Sequence, residues 1–409
     1  MPKDKIRDAI GLIAVCLILL SPIFNIGEMI SVLTTEKKFF HMLTIQTPLY
    51  VKIIKDIGFL AIIILSLFGL KRLEKDKIKL FLLFFTPLAV LTAVSFVMAC
   101  KTSLLQAMAG LRWIIPVFLA VFMIGNVDDG LMRKMAKAIA IVFFISFFIQ
   151  LYESFMIKGG LPFSGDMITF LKSWWSRNTY ASGIFTMYNT AGLFACETLF
   201  LVYFYMKKSR LRLLTLSLIP LNLLLASSGT GFPTYILANY LIWVKGKISK
   251  TTIAVFILIA VLLVYLLPII ISRPGISGNL TGRAKLCFQS FREAGLFSSN
   301  FGKGTNAMVL FSQKFGTPNM GQILDSTVTG IVVNTGRIGL GMALFFYIVW
   351  LALVLRSKRL DALIFTLIYT LFSLTVPITE AFPMSLILAV GLGYFTPIIL
   401  SKDKNSKTG

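Results

Sequence analysis

Charged residues, histidine and cysteine are all scarce in this chain of 409 residues. Only 14% of the residues are charged and 57% are hydrophobic, whereas roughly one quarter of the residues of a soluble domain are charged. The composition therefore excludes a soluble globule and predicts an integral membrane protein. The single histidine, His41, has no visible second ligand, and the four cysteines lie far apart, at Cys16, Cys100, Cys196 and Cys287. We therefore expect no metal site and no disulfide framework.

Membrane-length apolar segments fill most of the sequence. A helix needs roughly 20 apolar residues to cross a bilayer, and charge clusters, glycines and prolines divide the chain into about a dozen such segments. The candidate spans are 9–31, 51–70, 80–100, 108–126, 138–156, 190–206, 212–227, 231–244, 252–272, 336–355, 361–379 and 382–400. We predict an all-α polytopic domain over 1–409 with about 12 transmembrane helices. The short pair 212–227 and 231–244 is also compatible with a broken or re-entrant element.

Acidic residues are much rarer than basic ones, 17 against 40. If the N-terminus is cytoplasmic, more than half of the Lys and Arg residues fall in short cytoplasmic loops and tails, as the positive-inside rule requires. Both termini are then cytoplasmic, and the first segment is a retained span rather than a cleaved signal peptide. Because no soluble basic domain is present, we expect no nucleic-acid partner.

Two predicted external loops, 157–189 and 273–325, carry unusual residues. The larger loop holds Arg273, Arg283, Lys285, Arg292, Lys303 and Lys314 against only Glu293 and Asp325. Such a basic loop predicts contact with an anionic molecule. Its Gly302-Lys303-Gly304-Thr305 run lacks the spacing of a phosphate-binding P-loop, which excludes nucleotide binding there. In the smaller loop, Arg177 follows Trp174-Trp175, a combination that suits phosphate and sugar rings as well as a membrane interface.

Several charged residues fall within or beside predicted spans, where they are costly. Arg112 lies near the outer start of a span, and either it extends to the interface or it binds a ligand. Lys101 lies at the same external level and could join Arg112 in binding a phosphate. Glu153, Glu197 and Glu380 also lie in or at the ends of spans. These carboxylates are more probable as structural partners than as catalytic bases.

A carboxylate, Asp325, stands where the large loop returns to the membrane. The loop ends in the run Ile323 to Leu340, where a short half-apolar helix breaks at a glycine before the full span 336–355 begins. A carboxylate at such a junction is well placed to act as a general base.

The order of these features resembles the O-antigen ligase and O-antigen polymerase (Wzy-type) superfamily of GT-C membrane glycosyltransferases. The motifs that carry the resemblance are Gly110-Leu111-Arg112-Trp113; Gly183-Ile184-Phe185 with Tyr188-Asn189 and Gly192; Ser227-Ser228-Gly229-Thr230-Gly231; and the large loop ending in Asp325-Ser326, followed by Gly336 and Gly339-Leu340. Ligases of this superfamily typically carry a histidine where this chain has Asp325. Many members have Ser-Arg where this one has Ser228-Gly229. These departures favour the polymerase.

The resemblance implies metal-independent and cofactor-free glycosyl transfer at the periplasmic face of a bacterial inner membrane. The expected partners are an undecaprenyl-diphosphate-linked oligosaccharide, the lipid bilayer and a polysaccharide chain-length regulator. The catalytic candidates are Asp325, Arg283 and Arg292. The candidates for binding diphosphate or sugar are Arg112, Arg177, Arg273, Lys101, Asn189, Lys303 and Glu380, with Glu380 also the reserve base.

Three other functions stay open at this point. An O-antigen ligase would transfer a finished glycan to a lipid acceptor, and the missing histidine counts against it. A flippase for lipid-linked oligosaccharides (Wzx-like) or a secondary transporter would match the length and span count. Neither agrees with the large external loop, and the sequence shows no internal repeat of the kind that flippases have.

Overall fold

The computed structural model describes residues 3–26, 49–70, 75–158, 181–185, 187–226, 228–244, 285, 287–303, 305 and 326–405. All regular elements in these ranges are helical. The helices are α1 (Lys3–Leu19), α2 (Ser21–Phe24), α3 (Leu49–Leu70), α4 (Lys75–Cys100), α5 (Leu104–Phe122), α6 (Asp129–Lys158), α7 (Tyr188–Tyr205), α8 (Arg210–Ala226), α9 (Gly231–Trp243), α10 (Thr327–Ser357), α11 (Leu360–Ser373) and α12 (Met384–Asn405). A short helical segment also covers 287–293.

Four of the described helices are long and apolar enough to cross a membrane. They provide the segments Ile78–Cys100, Leu104–Phe122, Asp129–Ser154 and Thr327–Ser357. The predicted class, an all-helical membrane protein, is therefore confirmed, while the number of 12 spans stays a prediction. The candidate span 252–272 lies outside the described residues.

Helix boundaries depart from the predicted spans where polar residues take part in packing. The helix α6 begins at Asp129, well before the predicted residue 138, and Asp129 accepts a hydrogen bond from the Tyr394 hydroxyl. The helix α11 ends at Ser373 although the span was predicted to reach 379. Turns occupy the residues before Pro383 because Pro377 has no N–H with which to continue a helix.

One end of the bundle, which we call the N-terminal end, is joined by polar contacts between distant parts of the chain. Arg7 donates to the Gly125 carbonyl at 3.2 Å. Arg359 makes a two-point contact with Asp361, at 3.0 and 2.6 Å, and the Tyr205 hydroxyl donates to the same carboxylate at 3.1 Å. The hydrogen bond to Asp361 raises the pKa of Arg359, and the Tyr205–Asp361 hydrogen bond links α7 to the start of α11.

The opposite end, which we call the loop end, holds the described segments 181–185, 228–230, 295–305 and 374–383. The backbone N–H of Thr327 donates to the Val376 carbonyl at 3.1 Å. The hydroxyls of Thr230 and Thr375 lie 2.9 Å apart. The helices therefore run alternately between the two ends from α3 to α9 and again from α10 to α12, as expected of a polytopic membrane bundle.

The sidedness of the two ends gives a first test. We expect a cysteine at Lys303, at the loop end, to react with an impermeant maleimide in intact cells, because the positive-inside rule puts this end outside. A cysteine at Lys208, near the N-terminal end, should react only after the cells are permeabilised. Both are made in a chain whose four natural cysteines are alanine. The reverse pattern would contradict the predicted orientation, and equal labelling of the two positions would contradict the alternation of the helices.

Candidate functional site

Arg112 and Asp56 form an ion pair inside the bundle, between α5 and α3. The Nε of Arg112 lies 3.0 Å from Oδ2 of Asp56. At a rise of about 1.5 Å per residue, Arg112 lies about 12 Å along α5 from its start and Asp56 about 10 Å along α3. The pair therefore lies well below the tips of two helices that begin at the loop end. The side chains are 35% and 30% exposed, so a molecule from outside can reach them.

Two lysines and a second carboxylate extend this pair. The Lys55 Nζ lies 3.5 Å from Oδ1 of Asp56 and rests over the rings of Phe59 and Phe382, 5.8 and 5.9 Å from their centroids. Lys52 is close enough to Arg112 and Asp56 to interact electrostatically, and Glu380 interacts with Lys55 in the same way. The group Lys52, Lys55, Asp56, Arg112 and Glu380 is called the charged cluster below.

The charged cluster has one more basic than acidic side chain. Charges that are shielded from bulk water interact more strongly than charges on an open surface. Its lysines and arginine can therefore attract an anion such as a phosphate. An arginine offers phosphate a planar fork of donors, and a lysine supplies a compact charge.

The described residues of the large-loop segment 295–305 pack on α5. The Gln106 side chain donates to the Ser299 carbonyl at 3.0 Å. The ring of Phe301, which is fully buried, fills the space that a side chain at Gly110 would take. Gln106 and Gly110 share one face of α5, whereas Arg112, two residues after Gly110, lies on a different face.

Gly302 fixes how this segment docks. Its φ angle is +89°, in the left-handed region that favours glycine. A Cβ there would overlap the backbone oxygen of Gln106. The Gly302 N–H donates to the Asn334 side chain at 2.7 Å, and Asn334 in turn donates to the Gly330 carbonyl at 2.8 Å.

The break in α10 receives the other edge of the segment. Gly336 has φ +76° and ψ −168°, which interrupts the helix. The prediction of a short helix broken near this glycine is therefore confirmed. The N–H groups of Arg337 and Ile338 donate to the carbonyls of Gly295 and Leu296, both at 3.1 Å. The interruption thus exchanges hydrogen bonds within the helix for hydrogen bonds to the loop.

The site residues predicted from the sequence fall into three groups. Arg112 and Glu380 belong to the charged cluster. Lys101, Arg292 and Lys303 are exposed at the loop end, while Asn189 is buried at the start of α7. Asp325, Arg283, Arg177 and Arg273 lie outside the described residues, as does His41.

Lys101 and Arg112, which we expected to bind one phosphate together, lie at different depths along the bundle. Lys101 lies in the turn before α5, whereas Arg112 lies more than two helical turns into it. The ion pair of Arg112 is with Asp56, a residue that the sequence reasoning missed, together with Lys52 and Lys55. The spacing of Lys52, Lys55 and Asp56 on one face of an otherwise apolar helix could have revealed them.

The start of α10 is joined to the segment that leads to Glu380. Ser326 caps α10, accepting from the Thr329 N–H at 3.1 Å. The Thr327 hydroxyl donates to the Val376 carbonyl at 2.7 Å and accepts from the Ile378 N–H at 2.9 Å. Glu380 follows two residues later, so the beginning of α10 and Glu380 both lie at the loop end.

The glutamates of the middle spans have structural partners. Glu153 accepts from the Gly183 N–H at 3.0 Å, and Glu197 accepts from the Tyr369 hydroxyl. These two carboxylates thus accept hydrogen bonds from a backbone N–H and from a tyrosine hydroxyl within the bundle. Among the described residues no group of three or more His, Cys, Asp or Glu could hold a metal ion.

The docking of 295–305 gives a second test. We expect Gly302→Ala to displace the segment, because the left-handed backbone alone costs an alanine about 1–2 kcal/mol and the new methyl overlaps α5. The thermal unfolding midpoint should fall and tryptic cleavage at Lys303 should accelerate. Gly341→Ala, in α10 with no atom within 4 Å of the added Cβ, is the matched control. Equal behaviour of the two variants would show that Gly302 does not hold the segment.

Known proteins offer no guide to this site. No protein-family model matches the chain, and neither a curated protein nor a solved structure is detectably similar to it. The function is therefore inferred from the residues of the chain itself.

Proposed function

We propose that this protein is a membrane glycosyltransferase that polymerises lipid-linked repeat units of a polysaccharide, an O-antigen or a capsular or related exopolysaccharide. The donor is a glycan on undecaprenyl diphosphate, and the acceptor is the terminal sugar of a second lipid-linked unit. The reaction takes place at the loop end, on the periplasmic side of a bacterial inner membrane, in a bundle of about 12 spans. The observation that carries this proposal is the charged cluster, whose Arg112–Asp56 ion pair is partly exposed.

The charged cluster suits the leaving group of this reaction. The acceptor hydroxyl oxygen attacks the anomeric carbon of the donor, and the bond from that carbon to the diphosphate oxygen breaks. The lipid diphosphate leaves with the electron pair, and its negative charge grows as it departs. Arg112 and Lys52 stabilise that charge from fixed positions, which is more effective than stabilisation by water because the groups need no reorganisation.

The apolar surface beside the charged cluster suits the lipid. Ile53, Ile54 and Ile57 on α3 are exposed, and they alternate with Lys52 and Asp56 along the same helix. A polyprenyl chain can therefore lie in the bilayer along α3 while its diphosphate reaches the basic side chains. A soluble nucleotide-sugar donor would have no use for such a surface.

The proton of the acceptor hydroxyl needs a carboxylate base. Asp325 and Glu380 are the two candidates, and Thr327, at the start of α10, is bonded to the segment that leads to Glu380. We assign the base to Asp325 and an orienting role to Glu380, because Glu380 already interacts with Lys55. Arg283, Arg292, Arg273 and Arg177 would then bind the diphosphate or an acidic sugar from the loops. A chain-length regulator is the expected protein partner.

The ligase and the flippase remain the alternatives that the experiment must separate. A ligase uses the same donor but a different acceptor, so the charged cluster would serve it equally. A flippase or another transporter would use the charged cluster only to hold its substrate during transport. The three differ in which glycan product survives when the protein is missing.

The test is a gel profile of surface polysaccharide in a deletion strain complemented with variants that reach the membrane. Wild type should restore the ladder. Arg112→Gln should lower the amount of polymer about 100- to 1,000-fold, the usual effect of losing one charge-stabilising donor. The amount of polymer made with Arg112→Lys should lie between the amounts made with wild type and with Arg112→Gln, because lysine keeps the charge but lacks the planar fork of donors. Asp325→Asn should abolish the ladder.

A control variant and the glycan products of the deletion strain complete the test. Lys134→Gln also removes a positive charge, from an exposed pair with Asp8 near the N-terminal end, and should restore the full ladder. A single repeat unit on the acceptor in the deletion strain supports a polymerase. Loss of even that unit would indicate a ligase or a flippase, and an unchanged ladder would reject all three functions.

A further inference from the structure

The short helix 287–293 of the large loop presents large apolar side chains to its surroundings. Phe288 is 80% exposed and Phe291, one turn later, is 46% exposed. Leu296 and Phe297, just after the helix, are also exposed. We call these four side chains the apolar edge. A group of large apolar side chains that stays uncovered generally marks a surface that meets a partner or a membrane.

Basic side chains lie beside the apolar edge. Lys285 and Arg292 are three residues before and four residues after Phe288, and this spacing places side chains on one side of a helix. Both are exposed. Glu293 lies further round the helix, where it accepts a hydrogen bond from the Gln289 amide at 2.8 Å. The outward side of the short helix is therefore both apolar and basic.

Arg337 holds the short helix against α10. Its Nη2 atom donates to the carbonyls of Phe291 and Arg292 at 3.4 and 3.3 Å, and its guanidinium lies 5.4 Å from the centroid of the Phe291 ring. The two carbonyls belong to the last turn of the short helix, where carbonyls have no partner within the helix. These contacts fix the position of the apolar edge relative to α10.

The side of α10 that carries Arg337 continues as an exposed apolar surface. Leu344 and Ile348 follow Arg337 by seven and eleven residues, about two and three turns, so the three side chains lie on one side of the helix. Leu344 is 50% exposed and Ile348 63% exposed, within the membrane-length segment Thr327–Ser357. Arg337 lies about 10 Å along the helix from Leu344. The apolar edge is therefore at the level where the lipid-facing surface of α10 ends.

We propose that the segment 285–297 docks into the surface of the surrounding bilayer. The apolar edge enters the interface, and Lys285 and Arg292 bind the phosphates of anionic phospholipids. Aromatic and leucine side chains beside basic ones are typical of helices that lie in this plane, and aromatic side chains favour the interfacial level of a membrane. The docked helix would hold the segment 295–305, which follows it, at a fixed height.

The positive charge favours a lipid surface over a second copy of the chain. Two copies that met through this surface in a symmetric dimer would bring Lys285 and Arg292 of each copy close together, and like charges repel. Arg292 is also a candidate for the donor diphosphate, which lies at the same level of the membrane. The docking itself rests on Phe288 and Lys285, so it does not depend on the glycosyltransferase function.

The test examines the surroundings of a fluorescent probe at position 288. Phe288→Cys is made in a chain whose four natural cysteines are alanine, labelled with an environment-sensitive fluorophore and reconstituted in vesicles of phosphatidylcholine and phosphatidylglycerol. The vesicles contain no lipid-linked sugar. Lipids with a nitroxide near the headgroup should lower the fluorescence about twofold or more, because an interfacial helix buries its apolar face about 5–10 Å into the boundary of headgroups and acyl chains.

The matched control for depth is the same probe on Glu293→Cys. Position 293 is in the same short helix but about 140° around it from position 288. The nitroxide lipids should therefore quench the probe at 293 much less than the probe at 288.

A second comparison tests the role of charge. With the probe at 288, Lys285→Gln should lower the ratio of membrane-inserted to detached probe, read from its two fluorescence lifetimes, about fivefold, the contribution of one basic residue at an anionic surface. Vesicles of phosphatidylcholine alone should lower the same ratio. Lys208→Gln, which removes an equal charge near the N-terminal end, should leave it unchanged.

Three results would overturn the proposal. Equal quenching at 288 and 293, or none at 288, would show that the apolar edge does not enter the bilayer. A signal at 288 that varies with the ratio of protein to lipid would show that a second copy covers this surface. A ratio that stays the same in Lys285→Gln and in phosphatidylcholine alone would exclude binding of anionic phospholipids. None of these results would affect the polysaccharide assay of Arg112.

Discussion

The need to satisfy backbone hydrogen bonds away from water underlies the loop end of this protein. A helix meets that need within itself, and a break in a helix leaves N–H and C=O groups that require other partners. The break at Gly336 in α10 is stable because the loop residues Gly295 and Leu296 accept the N–H groups of Arg337 and Ile338. The same loop segment continues to α5, where Gly302 and Phe301 fit closely against Gln106 and Gly110. The broken helix and the docked loop thus stabilise each other.

Charges inside an apolar bundle need partners. Arg112 would be costly if it were isolated within the membrane. Its pairing with Asp56 and the partial exposure of both side chains lower that cost. A pair that is only partly shielded contributes little to folding stability. Under our proposal, the cluster is present to bind the diphosphate of the donor.

The sequence by itself determined the class of the protein, the approximate positions of most described helices and the break near Gly336. Apolar runs and glycine positions are local features, and the local backbone responds to them directly. The start of α6 at Asp129 was harder to predict, because Asp129 contacts Tyr394, which is distant in the chain. The sequence also identified Arg112 and Glu380 as candidates, since charges in apolar segments are conspicuous. Only the tertiary structure decided that Arg112 pairs with Asp56, that Phe301 packs on Gly110 and that Glu153 meets Gly183. These partners are far apart in the chain, and their meeting depends on how the helices pack, which no local pattern records.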